Sequence, residues 1–338
     1  MGVDLALVWA VIILFGIMMY VIMDGFDLGI GILFPFVADD QDRDVMMNTV
    51  APVWDGNETW LVLGGAGLLA AFPLAYSIIL SAFYLPLILM LIGLVFRGVA
   101  FEFRFKVETH RWRWSLAFFL GSLLATFSQG LILGAYIQGV PVVDRQFAGG
   151  SLDWLTPFSL AVGVGMVAGY ALLGATWLTT KTEGDLHDWT RRAALWLLPA
   201  VLGAMALVSV WVLFLDTDIP RRWGLSPLNW GRLLPLAPVP IVTGLVAFAA
   251  WRAIKDQSRQ ATPFLLSLVL FLLGFLGLAI SLWPNLIPPS ISIWAAASPP
   301  ESQAFLLVGV GPLIPVLLAY TAYTYWVFRG KVGDGYHH

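Results

Sequence analysis

Residues 5–36 read LALVWAVIILFGIMMYVIMDGFDLGIGILFPF. Only two of these side chains carry a formal charge, Asp24 and Asp27. A helix needs about 20 apolar residues to cross the hydrocarbon core of a bilayer, and this stretch exceeds that, long enough to tilt or project beyond the membrane. Eight more stretches of the same kind follow, at roughly 48–73, 75–101, 115–138, 157–180, 193–215, 236–254, 262–283 and 304–328. They are far too long for barrel strands, and lipid admits only helices or closed barrels as spanning elements. The expected fold is an all-α integral membrane protein. About nine transmembrane helices would form two four-helix bundles plus one additional helix, in a single polytopic membrane domain over residues 1–338.

Composition agrees. Of 338 residues, 59% are hydrophobic and 12% charged, where soluble domains carry about a quarter charged. The mean hydropathy is +0.84. Sixteen Trp residues suit indole anchors at the bilayer interface. A formal net charge of −3 excludes a strongly basic nucleic-acid binder. The chain has no Cys, which excludes disulfides, thiolate metal sites and Cys nucleophiles. The residues ahead of Leu5 lack the basic region of a cleaved signal, so the first span is expected to be retained. A glycine-rich phosphate-binding loop of the kind a pump would use is absent.

Lys and Arg orient the chain, because cytoplasmic loops carry the excess. One set of alternate loops holds Arg43; Arg97, Arg104, Lys106, Arg111 and Arg113; Lys181, Arg191 and Arg192; Arg252, Lys255 and Arg259; and Arg329 and Lys331. The other set holds Arg145, Arg221, Arg222 and Arg232. The expected topology places the N-terminus outside and the C-terminus in the cytoplasm. The outer loops, Gly139 to Pro157, Asp216 to Pro235 and Trp283 to Pro300, are rich in turn formers.

Few residues can carry chemistry. The four His residues, His110, His187, His337 and His338, fall in loops or the tail, so no haem inside the membrane is expected to take a His ligand from this chain. Met18, Met19, Met23, Met90, Met166 and Met205 lie in or near helices; a thioether can ligate haem iron, although Met in an apolar helix commonly fills packing gaps. No metal site is expected.

The informative groups are acids. Asp24 and Asp27, three apart, share a helix face, as do Asp55 and Glu58 in Trp54-Asp55-Gly56-Asn57-Glu58-Thr59-Trp60. A carboxylate near mid-bilayer costs about 3 kcal/mol on insertion scales. Such groups commonly line an ion or proton path facing the bundle interior. The turn Asp39-Asp40-Gln41-Asp42-Arg43-Asp44 would sit at its mouth. Structural readings stand beside these: Asp24 as a helix-end group, Glu58 as a hydrogen-bond partner for Asn57, and Glu102 as an ion-pair partner of Arg97 or Arg104. Gly25, Gly29, Gly31 and Gly56 read as close-packing sites between helices. Trp54 and Trp60 read as packing or belt residues.

Several segments, in order, resemble the signature segments of subunit II of the cytochrome bd-type quinol oxidases. They are Asp24-Gly25-Phe26-Asp27-Leu28-Gly29, the block Ala51-Pro52-Val53-Trp54-Asp55-Gly56-Asn57-Glu58-Thr59-Trp60-Leu61, and Phe96-Arg97-Gly98-Val99-Ala100-Phe101-Glu102-Phe103-Arg104. Gln138-Gly139-Val140-Pro141, Gly174-Ala175-Thr176-Trp177-Leu178, Gly184-Asp185-Leu186-His187 and the tail from Phe328 to His337 continue the likeness. The length is similar to the family's short, cyanide-insensitive branch. One departure concerns the last outer loop, where Trp294 is followed by Ala295, Ala296 and Ala297 in place of the long form's acid.

The resemblance implies a haem-free subunit in the bacterial inner membrane, paired with a haem-bearing subunit I that oxidises quinol and reduces oxygen to water. Haems b and d would belong to that partner. A small single-helix subunit, a structural quinone and lipids are further companions that it suggests. On motif position, Asp27 and Asp55 would contribute to a proton channel from the cytoplasm, with Asp24, Trp54 and Glu58 beside them. The chain would stabilise subunit I as well. Two rival readings of the acids remain: a proton-coupled secondary transporter, and a structural subunit whose acids only satisfy hydrogen bonds between helices. A lack of mid-membrane basic residues counts against the transporter.

Overall fold

The computed structural model describes residues 3–107, 109–256 and 258–332; the expectations for His337, His338 and the tail beyond Val332 lie outside them. Asp4 caps the first helix, its carboxylate accepting the Leu7 N–H at 3.1 Å, and α1 then runs Leu5–Leu33. A 3-10 turn, Phe34–Phe36, and a short helix, α2 (Asp40–Asn48), follow. The acidic run is thus a helix, started by Asp39, whose side chain accepts from the Gln41 N–H at 2.8 Å. After it come α3 (Trp54–Ala71), α4 (Pro73–Arg104), α5 (Arg111–Gln138), α6 (Pro157–Lys181) and α7 (Gly184–Val212). Two short helices, α8 (Ile219–Arg222) and α9 (Trp230–Leu236), lead into α10 (Pro238–Lys255) and α11 (Thr262–Leu282). A final short helix, α12 (Ile293–Ala296), precedes α13 (Pro300–Val327).

Among the described residues, eight helical segments are long and apolar enough to cross a membrane. The segment expected at 48–73 is the 18-residue α3 and does not join those eight, because its first turns carry Asp55, Asn57 and Glu58. The helix expected from 193 starts at Gly184 instead. That places His187 in the first turn of α7, not in a loop.

Packing divides the long helices into two groups of four. The first comprises α1, α3, α4 and α5, the second α6, α7, α10 and α11, and α6 joins them by packing on both α1 and α5. Small residues set the closest approaches. A Cβ on Gly29 would strike the Tyr170 carbonyl and lie 2.9 Å from the Gly174 nitrogen, so α1 and α6 meet backbone to backbone. Gly31 lies as tightly against Ser122 of α5. Gly56 has no such role: a Cβ there meets only the Tyr320 ring, at 3.9 Å. In α4 the helix kinks at Phe83 (φ −119°, ψ 22°), three residues before Pro86, as a proline without a donor N–H and with a ring against the preceding turn demands.

The last helix is fastened chiefly near its ends. Towards its start, the Trp9 indole donates to the Gln303 carbonyl at 3.0 Å and the Ser298 N–H donates to the Ala71 carbonyl at 2.8 Å. Just beyond its end, Lys181 of α6 donates to the carbonyls of Phe328 and Gly330, and the Val332 N–H donates to the Lys181 carbonyl. Between these ties α13 buries one residue, Gln303, while Phe305, Val308 and Val316 stand exposed. In the loops joining the spans lie two small antiparallel hairpins, β1 (Val142–Val143) with β2 (Gln146–Phe147) and β3 (Asn285–Ile287) with β4 (Ile291–Ser292).

Replacing Gly29 by Ala forces α1 away from α6 and is expected to destabilise the fold by about 1–3 kcal/mol. Gly244→Ala, where a Cβ meets nothing within 4 Å, should lose no stability. Thermal unfolding of the purified variants checks the pair; equal midpoints would refute the backbone contact.

Candidate functional site

The face of α1 that turns inward after Met23 is buried continuously from Asp24 to Leu33, and the two acids on it are wholly inaccessible. Asp24 meets Arg97 of α4, itself fully buried, with Nη1 2.6 Å from the carboxylate Oδ1. The other terminal nitrogen of Arg97 donates to Glu58 of α3. One guanidinium therefore ties three helices together through two carboxylates, the charge-assisted geometry that arginine's planar fork suits. Trp54 roofs this pair. Its ring stacks on Phe101 (centroids 5.1 Å, planes 7° apart) and lies 5.8 Å from the Arg97 guanidinium carbon.

Asp27, one turn further along α1, takes a different partner. Its Oδ2 accepts from the Asn57 amide at 2.8 Å, and Asn57 in turn accepts from the Tyr325 hydroxyl of α13 at 2.9 Å. On the opposite flank, Tyr170 of α6 donates to Gln129 of α5 at 2.7 Å. The Gln129 amide donates to the Tyr20 oxygen at 2.9 Å. Tyr20 lies next to Asp24. Asp24 Oδ2, Asp27 Oδ1 and Arg97 Nε are buried with no hydrogen-bond partner among the described residues.

The structure thus gathers Asp24, Asp27, Glu58 and Trp54 around Arg97 and Asn57. It leaves Asp55 apart, exposed on the surface of this chain in the first turn of α3. Glu58 is not Asn57's partner; it belongs to Arg97. Among the described ion pairs Glu102 meets Lys106, at 2.8 Å on the exposed end of α4, while Arg97 and Arg104 meet other carboxylates. Trp60 is a buried packing residue, edge-on to Phe15. Arg97 is not a loop cation, although it sits close to a basic run; it lies inside α4, so a buried basic residue does exist within the spans.

A second ionic knot closes the same ends of α2, α4 and α5. Asp44 bridges the buried Arg104 and Arg111, the latter at 2.7 Å. Arg43 pairs with Asp40 at 3.1 Å. Beside them Asp42 is pushed up from the usual carboxylate range by burial, with Asp39 and Asp185 adding to it. Among the described residues the imidazoles are His110, just before α5, and His187, in the first turn of α7, and neither lies along the middle of a span. The buried Met46, Met47 and Met90 are packed into the hydrophobic core.

Eight membrane-length helices among the described residues, with a buried cluster of charge in the first helix group, define a multi-pass helical membrane protein. The chain belongs to the cytochrome bd terminal oxidase subunit II family, whose model matches residues 5–328. It is 31% identical to the cytochrome bd-I ubiquinol oxidase subunit 2 of Escherichia coli, over 93% of this chain and 91% of that one. It is 28% identical to the cytochrome bd ubiquinol oxidase subunit 2 of Bacillus subtilis, over 96% of each. Its fold matches the bd oxidase structure from Geobacillus thermodenitrificans with a TM-score of 0.75 at 18% identity, covering 97% of this chain and 100% of that chain. The protein is therefore a multi-pass protein of the bacterial inner membrane and a subunit of a respiratory terminal oxidase complex.

Removing one partner of a buried ion pair leaves the other uncompensated, at about 3–5 kcal/mol. Arg97→Leu should destabilise the protein on that scale. Arg97→Leu with Asp24→Leu should recover part of the loss, and Lys106→Gln, in an exposed pair, should change stability by less than about 1 kcal/mol. Denaturation midpoints of the three purified variants decide it; no difference between Arg97→Leu and Lys106→Gln would remove the cluster from any structural role.

Proposed function

We propose that this chain is the haem-free second subunit of a quinol-oxidising, oxygen-reducing complex, and that it supplies part of the path carrying protons to the partner's oxygen site. Haems b and d belong to subunit I in this reading, and the chain binds no haem. Its contributions are a docking surface that stabilises subunit I and a chain of acids. A small single-helix subunit, a structural quinone and lipids complete the assembly. With the 18-residue α3 counted as a ninth crossing in spite of its polar first turns, the N-terminus faces outward and the C-terminus the cytoplasm, which puts the acids in the cytoplasmic half of α1 and α3.

One observation carries the conduit. A single guanidinium, Arg97, pairs with two carboxyl groups, Asp24 and Glu58, and a third, Asp27, held by Asn57, lies within electrostatic reach of it. Such a cluster is electroneutral only when protons make up the difference. In a low-dielectric interior, uncompensated charge is strongly disfavoured, so the cluster is suited to holding and exchanging protons as charge nearby changes. Each electron delivered to a buried oxygen site needs a matching proton for the same reason. The unpartnered oxygens of Asp24 and Asp27 are where water would join such a path. Asp55, exposed on the isolated chain, suits a handover point at the surface that meets subunit I. Trp54 shields the Arg97 pair and holds its geometry. Arg97 is engaged by two carboxylates and is not available for an anionic solute, which weighs against the transporter reading.

Asp27→Asn and Asp55→Asn are expected to slow oxygen consumption by the assembled complex roughly tenfold, a barrier increase of about 1.4 kcal/mol. Haem content and subunit stoichiometry should stay unchanged. Oxygen uptake with excess quinol, normalised to haem, is the measurement. Full turnover in both variants would end the conduit reading; lost assembly with full turnover per assembled complex would make the acids structural.

A further inference from the structure

In the second helix group, α10 ends at Lys255 and α11 begins at Thr262. Beside the connection lies an open cleft of about 770 Å³, lined by Phe248, Trp251, Arg252, Lys255, Arg259 and Thr262 among others. Three cations converge on it. Lys255 Nζ sits 3.8 Å from the Trp251 ring centroid, and the Arg252 guanidinium 5.9 Å from that of Phe248. One acid also lines it: Asp256, paired with Arg259 at 3.3 Å. The Ser258 hydroxyl donates to Asp256 at 2.7 Å and holds its carboxyl below the usual carboxylate range. Formal charge around the cleft is therefore positive, three cations to one anion.

The wall is braced independently of these groups. Arg191 of α7 is buried and donates to the Ile254 and Asp256 carbonyls, so the cations of the loop are not needed to cap α10. The first turn of α11 has no side-chain cap, and its free N–H groups add a partial positive charge beside Thr262. Away from the loop, exposed Leu245, Val242 and Ile241 extend an apolar track along α10. Charge at the rim, aromatic rings at the level of the interface and a greasy track toward the membrane centre are the features that recognise a lipid.

We propose that the α10–α11 connection binds the phosphate headgroup of an anionic phospholipid, with Arg252, Lys255 and Arg259 as its charge partners and the exposed face of α10 as the bed for an acyl chain. The cleft is of the size that holds a small ligand. None of the acids around Arg97 lines the cleft, so the site stands or falls separately from the conduit.

The test uses the assembled complex, stripped of lipid in mild detergent and titrated with phosphatidylglycerol or phosphatidylcholine while native mass spectrometry counts bound lipids. Two variants are compared with wild type: Arg252→Gln/Lys255→Gln/Arg259→Gln, and Arg221→Gln/Arg222→Gln/Arg232→Gln, which removes as many cations from other loops. Wild type and the second variant should retain one more phosphatidylglycerol than the first, whose affinity falls at least tenfold, and phosphatidylcholine should not distinguish them. Equal phosphatidylglycerol in all three would overturn the site. Displacement by an equal concentration of inorganic phosphate would show a free-anion site and overturn the lipid. If the triple variant fails to assemble, Lys255→Gln alone is read by the same count, and an unchanged count overturns the proposal.

Discussion

Everything in the first helix group is arranged around the burial of Arg97. A guanidinium taken out of water is tolerated only when its charge is answered, and here two other helices supply a carboxylate to each terminal nitrogen, leaving Nε alone without a partner among the described residues. Asp24 fixes the rotation of α1 about its own axis, because only one face can present that carboxylate to α4. Glu58 fixes α3 in the same way. The replacement of such a group by packed hydrocarbon is often neutral or stabilising in other proteins, so stability alone does not explain its presence. What it specifies is register: three helices whose apolar surfaces would slide over one another are held in a single mutual arrangement.

That register is supported by the small residues of α1. Gly29 allows α6 to approach within backbone contact and Gly31 makes room for the Ser122 side chain of α5, and that approach brings Tyr170 and Gln129 to the flank of Asp24. Without a Cβ at either position, the polar side chains reach across a short gap; with one, α6 or α5 would have to shift to relieve the clash. Close packing and the polar network are therefore one design in which each depends on the other.

Much of this is legible in the sequence. Hydropathy places the spans to within a few residues for α1, α5, α6 and α11. The pair Asp24 and Asp27 marks the buried face of α1, because a carboxylate in an apolar span is driven away from lipid and toward the bundle interior. Three features are not legible, for physical reasons. Arg97 stands near Arg104 and Lys106, and one-dimensional counting cannot tell a cation inside a helix from one just past its end. Asp55 and Glu58 share a face by spacing, yet α3 lies at the edge of its group, so one points in and the other out. Tyr325 lies 268 residues from Asn57, and nothing local in the sequence announces a contact at that distance.

The fastening of α13 sets the order in which the interior can be finished. This helix leaves the ribosome after every other long helix, and it brings Tyr325, which completes the Asn57–Asp27 link. Asp27, on the earliest of the described helices, is therefore made well before the helix that completes its link. During biogenesis the young bundle is open on the side that α13 will cover, and the Trp9 and Lys181 ties are made only at the end. The ties to Trp9 and Lys181 thus act as the two catches of a clasp that α13 closes over the polar face beside α1.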